Sequence, residues 1–478
     1  MKPIDTPQTH CRVGVSRGDI TPPAAIYHRM WGAAMHDRAT GIHRPLVATL
    51  LWLQPSADAK ETQLIVTMDQ CVLDSAELAR LRGAITDATA LPVECIHITL
   101  SHTHGSGWMS RTRTQFPGGD LIEPYLDQVA KTLAELAKQA QADTQPASIV
   151  YGFGRCSLAA HRDLWDEKSA QFVCGYNPDG PADDTVLVAR ITRDDGSCRA
   201  TIVNYACHPT TLAWENTLVS PDYVGAMREV IEQATGAPCV FLQGASGDLG
   251  PREGFVGDTA VADRNGRQLG YAALATLETL PKPRTRFVYC GPVISGAILG
   301  PWRHEPVEAS ALDGHKLWEG RSFSVDLPYR HDLADLQETK QSHQHWLDEE
   351  AAARAGGDMV RVRDCRARVE QKQRQINRLS TLPPGKVFPF RVTVMRLGDA
   401  LWIFAPGELY QTFQVTLRAR FPGYPIVVAT LTGDWQPGYL PTAASYGYGI
   451  YQEIIATIEA GSLETLIEQV TREMRAMV

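Results

Sequence analysis

No run of about 18 consecutive apolar residues, the length a membrane-spanning helix needs, occurs in the 478-residue sequence. Residues 1–19 (MKPIDTPQTHCRVGVSRGD) hold no apolar h-region of the kind a secretory signal requires. Basic excess is missing as well. The 46 Lys and Arg against 54 Asp and Glu leave a formal charge of −8, which argues against nucleic acid as a partner, since displacing counterions from phosphates takes a cationic surplus. The ten cysteines are scattered, with no CxxC pair and no dense cluster; this fits reduced thiols, several of them core filler. GxGxxG and a P-loop lysine are both absent, so the glycine-rich stretch 244–248 is not expected to cradle a phosphate. Low-complexity segments and repeats of about 20 to 50 residues are absent too. With 44% hydrophobic and 21% charged residues the composition is that of a globular chain rather than a disordered one. These absences predict an enzyme-sized cytoplasmic protein with no stable membrane insertion, and leave homo-oligomerisation open.

What is present is an alternation of strand and helix patterns. The runs 46–53 (LVATLLWL), 61–69 (ETQLIVTMD) and 95–103 (CIHITLSHT) read as strands, the last following a helical pattern at 75–91. Residues 123–141 carry apolar positions at three- and four-residue spacing and read as an amphipathic helix. A strand at 197–208, a helix at 222–236 ended by Gly236, and a strand at 238–248 follow. Further on, 388–408 reads as a hairpin turning at Gly398-Asp399, 424–435 as a strand and 462–477 as a terminal amphipathic helix. The pattern predicts an α/β fold, mixed β-sheets flanked by helices. A single domain over 1–478 is expected, with a helical-hairpin insertion at 335–382 that is rich in Glu, Lys, Arg, Gln and Ala and broken at Gly356-Gly357. Its charges read as an exposed helical face.

Chemistry-bearing residues collect where five predicted strands end. These turns are His102-Thr103-His104-Gly105, Cys207-His208-Pro209, Ala245-Ser246-Gly247-Asp248, Pro406-Gly407-Glu408, and Thr432-Gly433-Asp434-Trp435 running on to Gly438-Tyr439. Ligands of open α/β sheets bind beyond the carboxyl ends of strands, so the five turns are expected to face one cleft. In an extended segment His102 and His104, two apart, share a face and can reach one metal or one substrate; two core or surface histidines satisfy the same pattern. A lone histidine such as His208 is commonly just hydrogen-bonded. Together with Glu408 the three histidines make an N/O ligand set suited to Zn²⁺.

Seven short motifs in order resemble the neutral/alkaline non-lysosomal ceramidase family, in particular its shorter bacterial members. They are Gly18-Asp19-Ile20-Thr21-Pro22, Ser101-His102-Thr103-His104, Asn204-Tyr205-Ala206-Cys207-His208-Pro209, Ser220-Pro221-Asp222-Tyr223-Val224-Gly225, Gln243-Gly244-Ala245-Ser246-Gly247-Asp248 continuing to Pro251-Arg252, Pro406-Gly407-Glu408, and Gly438-Tyr439-Leu440-Pro441-Thr442. The resemblance implies one zinc per chain held by His102, His208, Glu408 and Tyr439. It implies that Tyr451 lines the reaction centre and that His104 and Arg162 contact the substrate amide, although the family's Asn-Arg reads His161-Arg162 here. Zinc so held lowers the pKa of water toward about 7 and lets it attack an amide carbonyl. Arg162, His104 and Tyr451 are then the groups that stabilise the oxyanion, and His104, with an ordinary imidazole pKa, or Tyr451 supplies the leaving amine's proton.

Departures from the family's pattern shift the expected substrate. Gly250 stands where ceramidases carry a serine, Arg252 adds a charge, and Gly105-Ser106-Gly107-Trp108 replaces the family's SGPGG. A C-terminal immunoglobulin-like domain of the kind full-length ceramidases carry is not expected in this chain. The expectation is a linear N-acyl amide smaller or more polar than ceramide, split into a carboxylate and an amine. Gly250, Trp108 and Arg252 are candidate substrate contacts, with Arg252 and Arg162 able to pair with a carboxylate. A metal-dependent esterase or lactonase and a non-catalytic metal- or ligand-binding protein are the alternatives. Cys207 beside His208 reads as a buried thiol rather than a nucleophile, because strand neighbours face opposite ways. Asp222 reads equally as an orienter of a zinc histidine or as the N-cap of the following helix. Trp31, Trp108, Trp165 and Trp435 either wall the pocket or pack loops, and the depth of that pocket rests on loops 27–45 and 301–330.

Overall fold

A computed structural model of the chain describes residues 2–56, 61–308 and 312–478. Eight strands form the larger sheet: β1 (Gln8–Asp19), β2 (Val47–Gln54), β3 (Gln63–Met68), β4 (Ile96–Leu100), β5 (Gln145–Arg155), β6 (Thr185–Arg193), β7 (Cys198–Tyr205) and β8 (Cys239–Gln243). Their spatial order is β8-β7-β6-β5-β1-β2-β3-β4. A second sheet runs β9 (Trp318–Pro328), β10 (Val387–Leu397), β11 (Ala400–Phe404), β12 (Ile426–Ala429) in that order. Pairs β3–β4, β7–β8 and β11–β12 are parallel and the rest antiparallel. The α/β class with mixed sheets is therefore what the chain adopts.

Each parallel pair needs a crossover helix. These are α1 (Ser75–Thr89), α3 (Tyr223–Thr235) and α7 (Thr412–Arg420); α2 (Ile122–Ala142), α4 (Thr259–Glu278) and α8 (Ser462–Arg475) follow the pairs, while α5 (Leu336–Ala355) and α6 (Met359–Thr381) form the hairpin between β9 and β10. The connectivity strand-strand-strand-helix-strand-helix thus occurs three times, in β1–β4, β5–β8 and β9–β12. Units of this size escape a search for short repeats.

Burial explains the strand sequences. In β2 Ala48, Leu50 and Trp52 face one core with α1 and α2, whereas Leu51 and Leu53 face the second sheet beside Trp402 and Phe404. On β11, Leu401 and Ile403 turn the other way, toward α7 and α8. The layers are helix, sheet, sheet, helix, and strands buried on both faces read as unbroken apolar runs. Helix α2 buries Ile122, Tyr125, Leu126, Val129, Leu133 and Leu136 at the spacing of a single stripe. No helix among the described residues is long and apolar enough to cross a membrane.

The larger sheet's edge strands, β4 and β8, are brought together by the end of β12. Gly433 donates its N–H to Ile98 O at 2.8 Å on one side, and Thr430 donates to Gln243 O at 2.9 Å on the other. Asn204 stitches the seam, donating to Leu242 O and Val428 O at 2.9 and 2.8 Å and accepting from Val428 N at 3.0 Å. The five polar turns consequently meet at one place.

Candidate metal centre and adjoining cavity

His102 lies two residues beyond β4, and its backbone is left-handed at φ 67°. The extended geometry expected for His102 and His104 is therefore corrected: a positive φ, not strand alternation, aims His102, and His104 opens a short 3₁₀ turn (His104–Ser106). Strain of this kind costs about 1–3 kcal/mol and persists where surroundings over-determine it. Here Ser101 N donates to Met68 O and His102 N to Gln70 O, both at 2.9 Å. Glu408 and Tyr439 are set opposite each other by a two-residue parallel pairing, Glu408↔Tyr439 and Leu409↔Leu440. The loop carrying Gly247 presses against this pairing so closely that a Cβ there would sit 2.7 Å from Glu408 O.

His208 Nε2 lies 2.8 Å and His102 Nε2 3.2 Å from Glu408 Oε2, and the Tyr439 hydroxyl is 3.4 Å from His208 Nε2. Donors on a tetrahedral ion with bonds near 2.1 Å stand about 3.4 Å apart. The tautomers agree. His102 Nδ1 donates to Cys71 O at 2.9 Å, and His208 Nδ1 to Ser246 O at 2.7 Å and Leu249 O at 3.1 Å. Such bonds fix the proton on Nδ1 and turn the Nε2 lone pair inward. Two imidazole lone pairs and a carboxylate oxygen then face one another, an all-acceptor arrangement stable only around a cation or proton. Among the described residues, the buried His102 Nε2 has no hydrogen-bond partner. The residues therefore fit a divalent metal. Cys71, His102 and His104 form a second close group, but His102 Nδ1, the nitrogen 3.6 Å from Cys71 Sγ, is already committed to the Cys71 carbonyl.

Burial would raise the Glu408 carboxyl, but His102 and then His208 outweigh it and hold it well below the usual range. Burial, then the Arg162 charge, brings His208 down to about 4. His104 is pushed well below an ordinary imidazole chiefly by burial, with His102 and His208 beside it acting in the same direction. The proton-donor part suggested for His104 therefore rests on its place in the cavity wall rather than on an ordinary imidazole pKa. Both its ring nitrogens lack hydrogen-bond partners among the described residues, and its ring packs 4.9 Å from that of Trp31.

His104 and Tyr439 reach a cavity of about 460 Å³. His104, Arg162, Tyr439 and Tyr451 form its side nearest the metal ligands, Trp31, Trp214, Phe255 and Ile455 supply apolar surface, and Arg374 and Arg378 enter from α6. Arg162 places its guanidinium 5.2 Å over the Tyr439 ring and donates to Gly247 O at 2.6 Å, leaving Nε without a partner. Tyr451 is 44% exposed, opening onto the cavity with its ring 5.8 Å from Tyr439. A larger cleft of about 670 Å³ around Arg82, His97 and Arg391 shares none of these side chains.

The structure thus brings together His102, His104, Arg162, His208, Glu408, Tyr439 and Tyr451. Other candidates fall elsewhere. Arg252 is exposed, stacks on Tyr176 at 5.3 Å and is not part of the cavity lining. Trp108 is buried beneath the wall, with Arg113 and Arg374 over its faces at 5.0 and 4.6 Å. Gly250 adjoins the wall: a Cβ there would meet Thr210 Oγ1 at 3.7 Å and Arg162 Cδ at 3.9 Å. Trp31 lines the cavity, Trp165 is 48% exposed and Trp435 packs on the core. Asp222 accepts from Tyr223 N and Leu212 N at 2.6 and 2.8 Å, a cap rather than a histidine's orienter. Burial raises the Cys207 thiol well above its ordinary value. Of the two loops thought to set pocket depth, 27–45 contributes Trp31 and Gly32; none of 301–330 lines the cavity among the described residues, and 309–311 lie outside them.

Sequence reasoning missed α6. Its charges, expected on an exposed face, include Glu370 and Arg378 at 3% and 7% exposure. The signal was the four-residue spacing of Glu370, Arg374 and Arg378, which puts all three on one side of the helix.

A family model for neutral/alkaline non-lysosomal ceramidase, N-terminal, matches residues 11–254. The solved structure of neutral ceramidase from Pseudomonas aeruginosa is similar at TM-score 0.65 and 17% identity, covering 98% of this chain and 74% of that one. A structure described as ceramidase complexed with C2 is similar at TM-score 0.64 with the same identity and coverage. At such identity the likeness carries the fold alone. No curated protein matches.

Proposed function

The chain belongs to the neutral/alkaline non-lysosomal ceramidase family, and from that premise we propose that it is a zinc-dependent amidohydrolase cleaving a linear N-acyl amide smaller or more polar than ceramide. The observation that carries the reading is the approach of His102 Nε2, His208 Nε2 and Glu408 Oε2 with the Tyr439 hydroxyl beside them. Two nitrogens and two oxygens suit Zn²⁺, which when bound supplies a water activated at neutral pH.

The chain's own residues do the rest. The carbonyls of Cys71, Ser246 and Leu249 hold both imidazoles in the ligating tautomer. Arg162, with one guanidinium edge tied to Gly247 O, keeps Nε free for an oxyanion. A preorganised donor of this kind contributes roughly 3–4 kcal/mol to the transition state. The Tyr451 hydroxyl and the unpaired His104 ring border the same space and are positioned to bind the amide. Trp31, Trp214 and Phe255 exclude water and take the apolar part of the substrate. A cavity of about 460 Å³, mostly apolar but with guanidinium groups in its wall, supports a compact substrate with an apolar part and a polar end.

The test is release of amine from a panel of short acyl amides by protein freed of metal with a chelator and then reloaded with zinc. Turnover that disappears with the chelator and returns with zinc supports the proposal. Zinc-loaded protein that cleaves esters alone moves the reading to an esterase, and protein inert toward both is a binder.

A further inference from the structure

Positive charge around the cavity is not balanced. Glu370 gives its oxygens to Arg113 Nη1 and Nη2 at 2.8 and 2.9 Å and to Arg374 Nε at 2.8 Å. Arg374 also donates to Met30 O and lies over Trp108. Both arginines therefore share one carboxylate. Glu408 is committed to the two imidazoles.

Arg378, one turn beyond Arg374, has no such partner. It is 7% exposed and lines the cavity, and its guanidinium makes no hydrogen bond or ion pair with any described residue. Burial lowers it only to about 10, so it is charged at neutral pH. A charge this far withdrawn from solvent, open only to the cavity and without a counter-charge in contact, is costly to retain. A guanidinium is also the group whose planar fork matches a carboxylate in two parallel hydrogen bonds.

We infer that the cavity binds an amide carrying a carboxylate, and that Arg378 pairs with that carboxylate while the amide lies against His104 and Arg162. The amide half rests on the amidohydrolase reading above; the carboxylate subsite does not, because it follows from Arg378 and the cavity alone. Arg378 thereby takes the part that the sequence suggested for Arg252.

The probes are N-hexanoylglycine and its neutral isostere N-hexanoylglycinamide. Each is titrated into chelator-treated protein by the change in intrinsic tryptophan fluorescence, to which the wall residues Trp31 and Trp214 contribute, and each is assayed for hydrolysis by the zinc-loaded protein. Charge-assisted pairing predicts that the acid is favoured about ten- to hundredfold over the amide in both measurements. The ratio falls to about one in Arg378→Met and stays intermediate in Arg378→Lys, which keeps the charge without the fork. Acid-selective binding that depends on Arg378, with neither probe hydrolysed, upholds the subsite and sinks the amidohydrolase reading. Equal binding of acid and amide by the native protein, selectivity that survives Arg378→Met, or no binding of either probe overturns the inference.

Discussion

Replacing Glu370 with glutamine leaves the shape of the hairpin's buried contact intact and removes its only negative charge. The structure lets the cost be reckoned in two ways. Arg113 and Glu370 side chains are 2% and 4% exposed and joined by two hydrogen bonds at 2.8 and 2.9 Å. Removing one partner of such a buried pair costs about 3–5 kcal/mol, because the other charge stays desolvated. Independently, burial alone would raise the Glu370 carboxyl, yet Arg374 and then Arg113 bring it down from 4.5 to about 2. A depression of that size is worth about 3 kcal/mol of stability at neutral pH. Because the native value lies below the unfolded one, this contribution is complete above about pH 4.5 and is lost as pH falls toward 2. Hydrogen exchange across Met359–Thr381, followed from pH 7 to 3, is the assay. Glu370→Gln is expected to lose about 3 kcal/mol of protection at pH 7 and to show a flatter acid response than the native chain. Protection within about 0.5 kcal/mol of native at pH 7, or an identical acid profile, would refute the reasoning.

Three further outcomes follow from the packing. Gly247→Ala drives a methyl to 2.7 Å from Glu408 O and 2.9 Å from Tyr410 Cδ1; overpacking of this sort costs about 1–3 kcal/mol, and a chelator-competition titration should show weaker zinc retention. Asp222→Ala removes a cap that accepts from Tyr223 N and Leu212 N; denaturation should register a loss of about 1–2 kcal/mol with zinc content unchanged, and zinc loss would restore Asp222 as a histidine's orienter. Cys207→Ala should leave hydrolysis within a few-fold of native, since the thiol is fully buried and held protonated; abolished turnover with zinc retained would make that thiol a participant.

Much of the layered core was readable because strands such as β2 and β8 are apolar on both faces and helices such as α2 carry one clear stripe. Strand β5 was hidden by Gly152 and Gly154, whose missing side chains make room for Leu280 and Thr276. Its partner β6 and helix α4 went unread with it. At the site, the turns after β4, β7, β8, β11 and β12 were legible as places where polar residues gather. Their meeting was not, because it depends on the end of β12 joining the two opposite edges of an eight-stranded sheet. The left-handed backbone at His102 has no local signature either: a histidine at positive φ is held there by the carbonyls of Met68 and Gln70, from another strand's end. Helix α6 misled for a simpler reason. Charge on a helix reads as solvent exposure until a partner such as Arg113, 257 residues away in sequence, is seen to bury it.

The measurement that bears most directly on the account is anomalous diffraction at the zinc edge from crystals of the protein as purified. The account predicts one peak per chain, within bonding distance of His102 Nε2, His208 Nε2, Glu408 Oε2 and the Tyr439 hydroxyl. A peak seated instead beside Cys71, or no peak in zinc-soaked crystals, would contradict it.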